Sequence, residues 1–511
     1  MSKKVVFKTY HQDQLSLLPP SYDDLVPVNH PVRVVNTIID HLDITALEES
    51  YKGGGTSSYH PRMLLKVIVY AYLRNLYSSR KIEQALSENI HFMWLSGQNA
   101  PDHNTINDFR GNRLKGHLKK IFNQVVLLLV GQGVVNLKDL YVDGTKIEAN
   151  ANRYTFVWGK SIKTNKAWVQ KQLKELWSYV EKVYKDEQHI PNTPNFEAID
   201  AEQVEATINK INDALQGKEV DKKIKQKLNY AKKNWPNNLK KYDRQEAILK
   251  NRNSYSKTDP DATFMRMKDD HMQNGQLRPG YNLQASTNNQ YITNYTLGQT
   301  TADTTLLKDH MEGHIESYNE TPESKTADAG YGSEENYSDL ESKTIDAFVK
   351  YSYFHKEQKQ SNKVPDPFHP DQLYHNKDTD TYYCPMGQAM TNIGSYKKQT
   401  KTGFEQTLTR YQAQNCNGCP LRGLCHKSKN NRIIERNYNL IRLKSKAKTK
   451  LISEQGIEKR KQRCWDVEAV FGNIKQNMNF KRFMLRGIDK ANVEIGLIAM
   501  AHNLKKFSLA M

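Results

Sequence analysis

Two carboxylates stand where small neighbours leave room around them. Asp143 precedes Gly144 in Leu140-Tyr141-Val142-Asp143-Gly144-Thr145-Lys146-Ile147, a run of β character whose glycine allows a tight turn. Asp328 stands in Ala327-Asp328-Ala329-Gly330-Tyr331-Gly332, after a short predicted strand. An acid at a strand end beside small residues suits a hard divalent cation, because the backbone leaves space for a phosphate. Glu468 is a third candidate. Val467, Val470, Phe471, Ile474 and Met478 make one apolar helix face beside it, and Lys475 should project from the same flank as Glu468. Three carboxylates converging on two metal ions about 3.5–4 Å apart would suit in-line phosphoryl transfer on DNA. The plainer reading is three capping or surface acids in a chain that has 56 acidic residues.

The cysteines suggest a second metal. Cys384, Cys416, Cys419 and Cys425 fall as C-x31-C-x2-C-x5-C, a pattern that points to tetrahedral structural zinc against reduced free thiols. Zinc would replace the apolar core that about 70 loop-rich residues do not supply. Pro385-Met386 follows Cys384 where a paired cysteine would stand, and His426 could compete as a ligand. Cys464, alone, reads as an inert filler.

Charge is distributed unevenly. The chain carries 75 Lys plus Arg against 56 Asp plus Glu, a net +19. Residues 426–511 hold 20 basic against 7 acidic residues, so 13 of those 19 excess charges lie there. Lys444, Lys446, Lys448 and Lys450 alternate with small residues, and Lys459, Arg460 and Lys461 follow just before the segment of Glu468. A lysine run is usually a solvated face, but at this position a groove for the DNA backbone is the better reading.

These residues need elements to hold them. Residues 1–135 read as helical, with Pro61 at a first helical position, serines 78 and 79 as caps and a further helix from Asn104-Thr105. Residues 161–254 are charged and helical, with two apolar stripes that predict two antiparallel helices. Strands are predicted at Thr263 to Met267, Tyr281 to Thr287, Gln290 to Leu297, Lys325 to Ala327 and Ala347 to Tyr353, with Asn288-Asn289 as a turn. A mixed sheet flanked by helices results, an α/β class interrupted twice. Its parts are 136–160 and 255–355, the cysteine-bearing insertion 356–436, and helices over 437–511.

Composition closes off other classes. A chain of 511 residues with 37% hydrophobic residues can bury a core, and five cysteines do not make a disulfide scaffold. The most apolar runs, Met63 to Leu73 and Val125 to Val135, fall short of the roughly 20 residues of a membrane span. The opening Ser2-Lys3-Lys4-Val5-Val6-Phe7 does not read as a signal peptide, so a cytoplasmic place is expected.

Four motifs, taken in order, are similar to the DDE transposases of bacterial insertion sequences. They are Tyr141 to Asn150, Ser256 to Ala262, Ala327 to Tyr331, and Arg463 to Lys475, with Asp108-Phe109-Arg110 in the N-terminal helices also resembling that family. Within it, the chain resembles the subgroup with an N-terminal helical DNA-binding region and a cysteine-bearing insert before the catalytic glutamate. The resemblance implies an RNase-H-like catalytic core and a triad of Asp143, Asp328 and Glu468 binding Mg²⁺ or Mn²⁺. It also implies cut-and-paste transposition on double-stranded DNA at terminal inverted repeats, in a homodimer bridging two ends near the bacterial nucleoid.

Related enzymes carry a Tyr-Arg-Glu-Lys signature, and Lys475 lies at its expected distance from Glu468. Arg463 precedes Glu468 by five residues, one more than the signature, and Arg460 stands at the tyrosine position. Lys475 and Arg463 would clamp phosphate oxygens in the transition state. Trp465 reads either as a platform for an unstacked base or as a core aromatic. Arg460, Lys459, Lys461, Arg482 and Arg486 are further expected DNA contacts. The competing function is a transposase-derived DNA-binding repressor that no longer cuts.

Overall fold

A mostly buried run of β-forming residues builds a long strand, β1 (Asp139–Glu148), on which the rest of the α/β unit is assembled. The computed structural model describes residues 12, 20–51, 57–184, 192–196, 200–267, 275–358 and 366–510. Two compact units emerge: residues 1–132 with 476–479 and 493–511, and residues 133–475 with 480–492.

The first unit is helical. Pro61 begins the helix Pro61–Leu73, where its missing N–H costs nothing, and His60 Nδ1 accepts the Arg62 amide at 3.2 Å. The helix foreseen from Asn104 starts at His103, capped by Asp102, whose Oδ1 accepts the Thr105 amide at 2.8 Å. Arg110 is buried, donating to Tyr72 Oη at 3.0 Å and to the Tyr77 carbonyl at 2.6 Å. Buried Glu494 lies 4.0 Å from Arg110 and accepts the Tyr72 hydroxyl at 2.9 Å. A buried carboxylate needs such a partner, which accounts for residues 493–511 grouping with the N-terminal helices rather than with 437–492 as the sequence suggested.

In the second unit the two-stranded ladder β2 (Phe156–Trp158) and β3 (Ser254–Ser256) follows β1 along the chain. The remaining strands of the main sheet are β4 (Thr263–Arg266), β5 (Leu277–Asn288), β6 (Tyr291–Gly298), β7 (Ser324–Ala327) and β8 (Asp346–Val349). β5 pairs antiparallel with β1, β4 and β6, while β7 runs parallel to both β1 and β8. The chain reverses between β5 and β6 at Asn289-Gln290, both at positive φ (51° and 62°), one residue later than expected. Asn288 stays in the strand because its side chain accepts the Asn136 amide at 2.9 Å and donates to the Asp139 carbonyl at 3.0 Å. β8 ends at Val349, earlier than predicted, ahead of Tyr353 at φ 75°.

No turn occurs at Gly144. β1 runs straight through it, and a Cβ there would lie 2.6 Å from both Asp303 Oδ1 and Gln284 Nε2. The glycine allows a close approach rather than a reversal. Leu140 and Val142 share a core with Leu307, Met311, Tyr331 and Leu340 on one face of the sheet. Asp139, Tyr141 and Asp143, on the alternate positions, face the segment from Glu454 onward, where Lys459 meets Asp139 and Arg463 meets Asp143.

Two insertions interrupt this unit. Three helices, Gly159–Val183, Ala201–Ala214 and Lys222–Leu249, share a core of Leu173, Trp177, Val204, Ile208, Trp235 and Leu239. The third helix exceeds the predicted pair and carries Pro236 within it. The cysteine-bearing stretch is a five-stranded antiparallel sheet of β9 (Tyr374–Asn376), β10 (Thr381–Tyr383), β11 (Ala389–Gln399), β12 (Glu405–Ala413) and β13 (Ile433–Arg436). Its core contains Leu373, Tyr382, Met390, Tyr411, Cys416 and Ile434, so it is neither loop-rich nor coreless as expected. Among the described residues no helix is long and apolar enough to cross a membrane.

Candidate active site

The parallel register of β1 and β7 matches Val142 with Ala327. One step further along both chains puts Asp143 beside Asp328, on neighbours about 4.8 Å apart with side chains to the same face. Asp328 stands at the end of β7, with extended backbone (φ −80°, ψ 174°) before a short 3₁₀ turn, Ala329–Tyr331. Asp143 instead lies within its strand, and its Oδ1 accepts the Gly144 amide at 2.8 Å.

Glu468 reaches the same place through Arg463. That arginine is buried, its Nη2 donating to Glu468 Oε1 at 2.8 Å and its Nη1 lying 3.6 Å from Asp143 Oδ2. The helix Glu454–Arg463 continues as a π-helical segment, Cys464–Glu468. In a π-helix the backbone hydrogen bond spans five residues instead of four, which brings side chains five apart toward one face. The five-residue interval between Arg463 and Glu468, one too long for the signature, is therefore absorbed by one π turn. A second such segment, Asn473–Asn477, follows Ala469–Gly472. Lys475 lies in it and is buried, whereas Glu468 is exposed, so the two do not share a solvent-facing flank. The expectation assumed an unbroken period of 3.6 residues, which π turns interrupt.

Electrostatics around Asp328 favour its charged form. Burial pushes its pKa up, but the Ala329 amide, Arg463 and Lys350 together hold the carboxyl below the usual value. Lys350 Nζ lies 3.5 Å from Asp328 Oδ1 and was not foreseen, although it directly follows β8. Asp303 was missed as well. Its Oδ1 accepts from Asn282 Nδ2 at 2.8 Å and Gln284 Nε2 at 3.0 Å, it abuts Gly144, and it lies close to Gly330. Thr304, its neighbour, donates to the Gly330 carbonyl at 2.7 Å, tying this turn to the one after Asp328. Nothing in the local sequence distinguishes Asp303 from a helix cap.

Asp466 anchors the first π turn. It is buried, and Oδ1 accepts the Gln290 amide at 3.0 Å, while Gln290 Nε2 donates to the Trp465 carbonyl at 3.0 Å. Trp465 itself is 55% exposed, which removes the core-aromatic reading. The basic residues divide in two. Lys459 pairs with Asp139 at 2.5 Å and Arg460 lies over the Phe354 ring at 5.2 Å, while Lys461 is exposed. Arg482 donates to the carbonyls of Ala149 (3.2 Å) and Ala151 (3.1 Å), and Arg486 to that of Asn150 (2.9 Å). The lysine run does not line one groove, since alternate residues of the helix Tyr438–Ile452 leave on different sides. Lys446 pairs with Glu341, Lys448 with Glu357 and Lys450 with Asp346.

The four cysteines line one cavity with His426 and Arg432. Arg432 Nη1 donates to Cys425 Sγ at 3.1 Å, and its amide approaches Cys416 Sγ at 3.4 Å. Among the described residues no three His, Cys, Asp or Glu side chains are set as they stand to hold a metal ion. At the cysteines the Arg432 guanidinium lies against the Cys425 sulfur. At the carboxylates Arg463 supplies the positive charge, though oxygen donors there still suit a hard cation.

Known proteins give two matches. Residues 20–112 match a family model described as a transposase domain. Residues 383–508, which include Arg463, Glu468 and Lys475 but neither aspartate, match one described as a transposase DDE domain. No curated protein and no solved structure matches the chain. The two matches support a DDE-type transposase, with DNA as the implied substrate and Mg²⁺ or Mn²⁺ as the metals such enzymes generally use.

Proposed function

We propose that this chain is an active transposase that binds the terminal inverted repeats of an insertion sequence, cuts there, and joins the freed 3′-hydroxyl to target DNA. The observation that carries the reading is that Asp143 and Glu468 both meet the buried guanidinium of Arg463, whose charge also acts on Asp328. An order of β6-β5-β1-β7-β8, antiparallel on one side of β1 and parallel on the other, supports an RNase-H-like core.

Asp143, Asp328 and Glu468 would hold the divalent ions, which when bound supply activation of the attacking oxygen and stabilisation of the leaving one. Arg463 and Lys350, set against these carboxylates, would offer positive charge to the non-bridging phosphate oxygens, and Lys475 is assigned the same role from its place in the signature. Exposed Trp465 offers a face on which an unpaired base can stack. The helical unit of residues 1–132 is assigned end recognition, and a homodimer would bridge two ends near the nucleoid. Structural zinc on Cys384, Cys416, Cys419 and Cys425 rests on their shared cavity alone. Zinc content below about half an equivalent after chelator washing removes it.

The deciding assay uses a labelled transposon end. Asp143→Asn, Asp328→Asn and Glu468→Gln should each stop cleavage while binding persists, and three variants that still cut would refute the triad. Supplying pre-cleaved ends with a target plasmid separates a transposase, which joins them, from a simple nuclease. A wild type that binds ends and never cuts would be the repressor.

A further inference from the structure

At the end of β1, one buried carboxylate holds more positive charge than it can neutralise. Glu148 is 6% exposed. Arg153 meets it with two bonds, Nε to Oε1 at 2.8 Å and Nη2 to Oε2 at 2.9 Å. Arg278 Nη1 reaches Oε2 at 3.2 Å, and Arg482 Nε lies 3.8 Å from Oε1. Three guanidiniums around one carboxylate leave a surplus of two positive charges.

The three arginines come from separate places: the loop after β1, strand β5, and the chain after the second π turn. Their side chains are 39%, 36% and 47% exposed, so each presents an edge to solvent while Glu148 fixes the other. Arg482 is fixed further by its bonds to the carbonyls of Ala149 and Ala151. Ordinary surface arginines lose considerable side-chain entropy when they close on a ligand. These are held in advance, and forked N–H edges match phosphate oxygens in pairs. Alternation sends Glu148 to the opposite face of β1 from Asp143, so the cluster lies outside the carboxylate cleft. Five strand steps, roughly 17 Å, separate the two positions along β1.

We propose that Arg153, Arg278 and Arg482, set on buried Glu148, form a subsite for a DNA backbone phosphate away from the carboxylate cleft. The ligand's identity as DNA rests on the function proposed above; the preorganised anion subsite does not. Phosphate contacts set affinity and salt dependence without reading sequence, so the subsite holds the duplex rather than choosing it.

The test is duplex DNA binding, followed by anisotropy across a potassium chloride series. Arg153→Gln/Arg278→Gln should weaken binding and reduce the slope of log K against log salt by about one. Glu148→Gln added to that pair removes the stranded buried charge, so a misfolded double variant still leaves a measurable protein. Arg153→Lys/Arg278→Lys should keep most of the slope while losing affinity, because lysine supplies charge without the fork. A wild type without salt-dependent binding overturns the function and, with it, DNA as the ligand of the subsite. Wild-type binding with an unaltered slope and affinity in the glutamine variants overturns the subsite alone.

Discussion

Strand β1 joins two ionic clusters of opposite ratio. Around Asp143 the carboxylates are in the majority: Asp143 and Glu468 share Arg463, with Asp328 beside them and Lys350 on its far side. Around Glu148 the guanidiniums are in the majority, three to one. Each cluster is organised by a buried ion of the minority sign, Arg463 in one and Glu148 in the other. The pairing chemistry is the same in both, and the ratio decides what each attracts. Surplus carboxylate oxygens suit divalent cations, and surplus forked donors suit phosphate.

The comparison breaks most visibly at the carboxylates. Asp143→Asn, Asp328→Asn or Glu468→Gln should lower strand cleavage well beyond the roughly 10–100-fold that changes to supporting residues cost. Arg463→Gln comes next. Loss of the buried partner leaves Asp143 and Glu468 facing one another and should cost about 3–5 kcal/mol of stability in metal-free buffer. Mg²⁺ should restore much of that loss in thermal melts, and a melt indifferent to Mg²⁺ would mean the carboxylates do not form a cation site. Glu148→Gln should behave oppositely. We expect a smaller destabilisation of about 1–3 kcal/mol, since the arginines can turn to water, with no rescue by Mg²⁺.

Two smaller effects sharpen the picture. Gly144→Ala drives a methyl against Asp303 and Gln284 and should cost about 1–3 kcal/mol in urea unfolding. Asp328 has a depressed pKa in the folded chain, so its charge adds stability above its unfolded pKa of about 3.9, lost as pH falls through the folded value. The difference in stability between wild type and Asp328→Asn should therefore narrow in acid below about pH 4, and a difference that widens there would contradict this sign.

Much of the frame was readable from residue order. Pro61 marked a helix start, and the β character of 140–147, 281–287 and 290–297 marked strands that pair around Asp143. What escaped did so for physical reasons. The helix Lys222–Leu249 is lysine-rich, sparse in apolar residues and interrupted by Pro236, so its pattern is weak although Trp235 and Leu239 complete a core. β11 is mostly exposed and shows little burial contrast along its length. The π turn between Arg463 and Glu468 is invisible to any search at a period of 3.6, yet it explains the spacing that did not fit. Lys350 reaches Asp328, and Asp303 reaches Gly144 and Gly330, only through tertiary folding, from a strand end and a turn far along the chain.

The ladder of Phe156–Trp158 with Ser254–Ser256 has a consequence for how the molecule assembles. It brings the ingoing and outgoing ends of the three-helix insertion side by side, while Leu173, Trp177 and Trp235 pack in a core separate from that of Leu140 and Val142. Such an arrangement makes a cooperative folding unit of its own. Its backbone amides should exchange with deuterium together and at a rate distinct from those of β1. A tight turn joining the two ladder strands could replace the whole insertion while leaving the carboxylate-bearing sheet to fold.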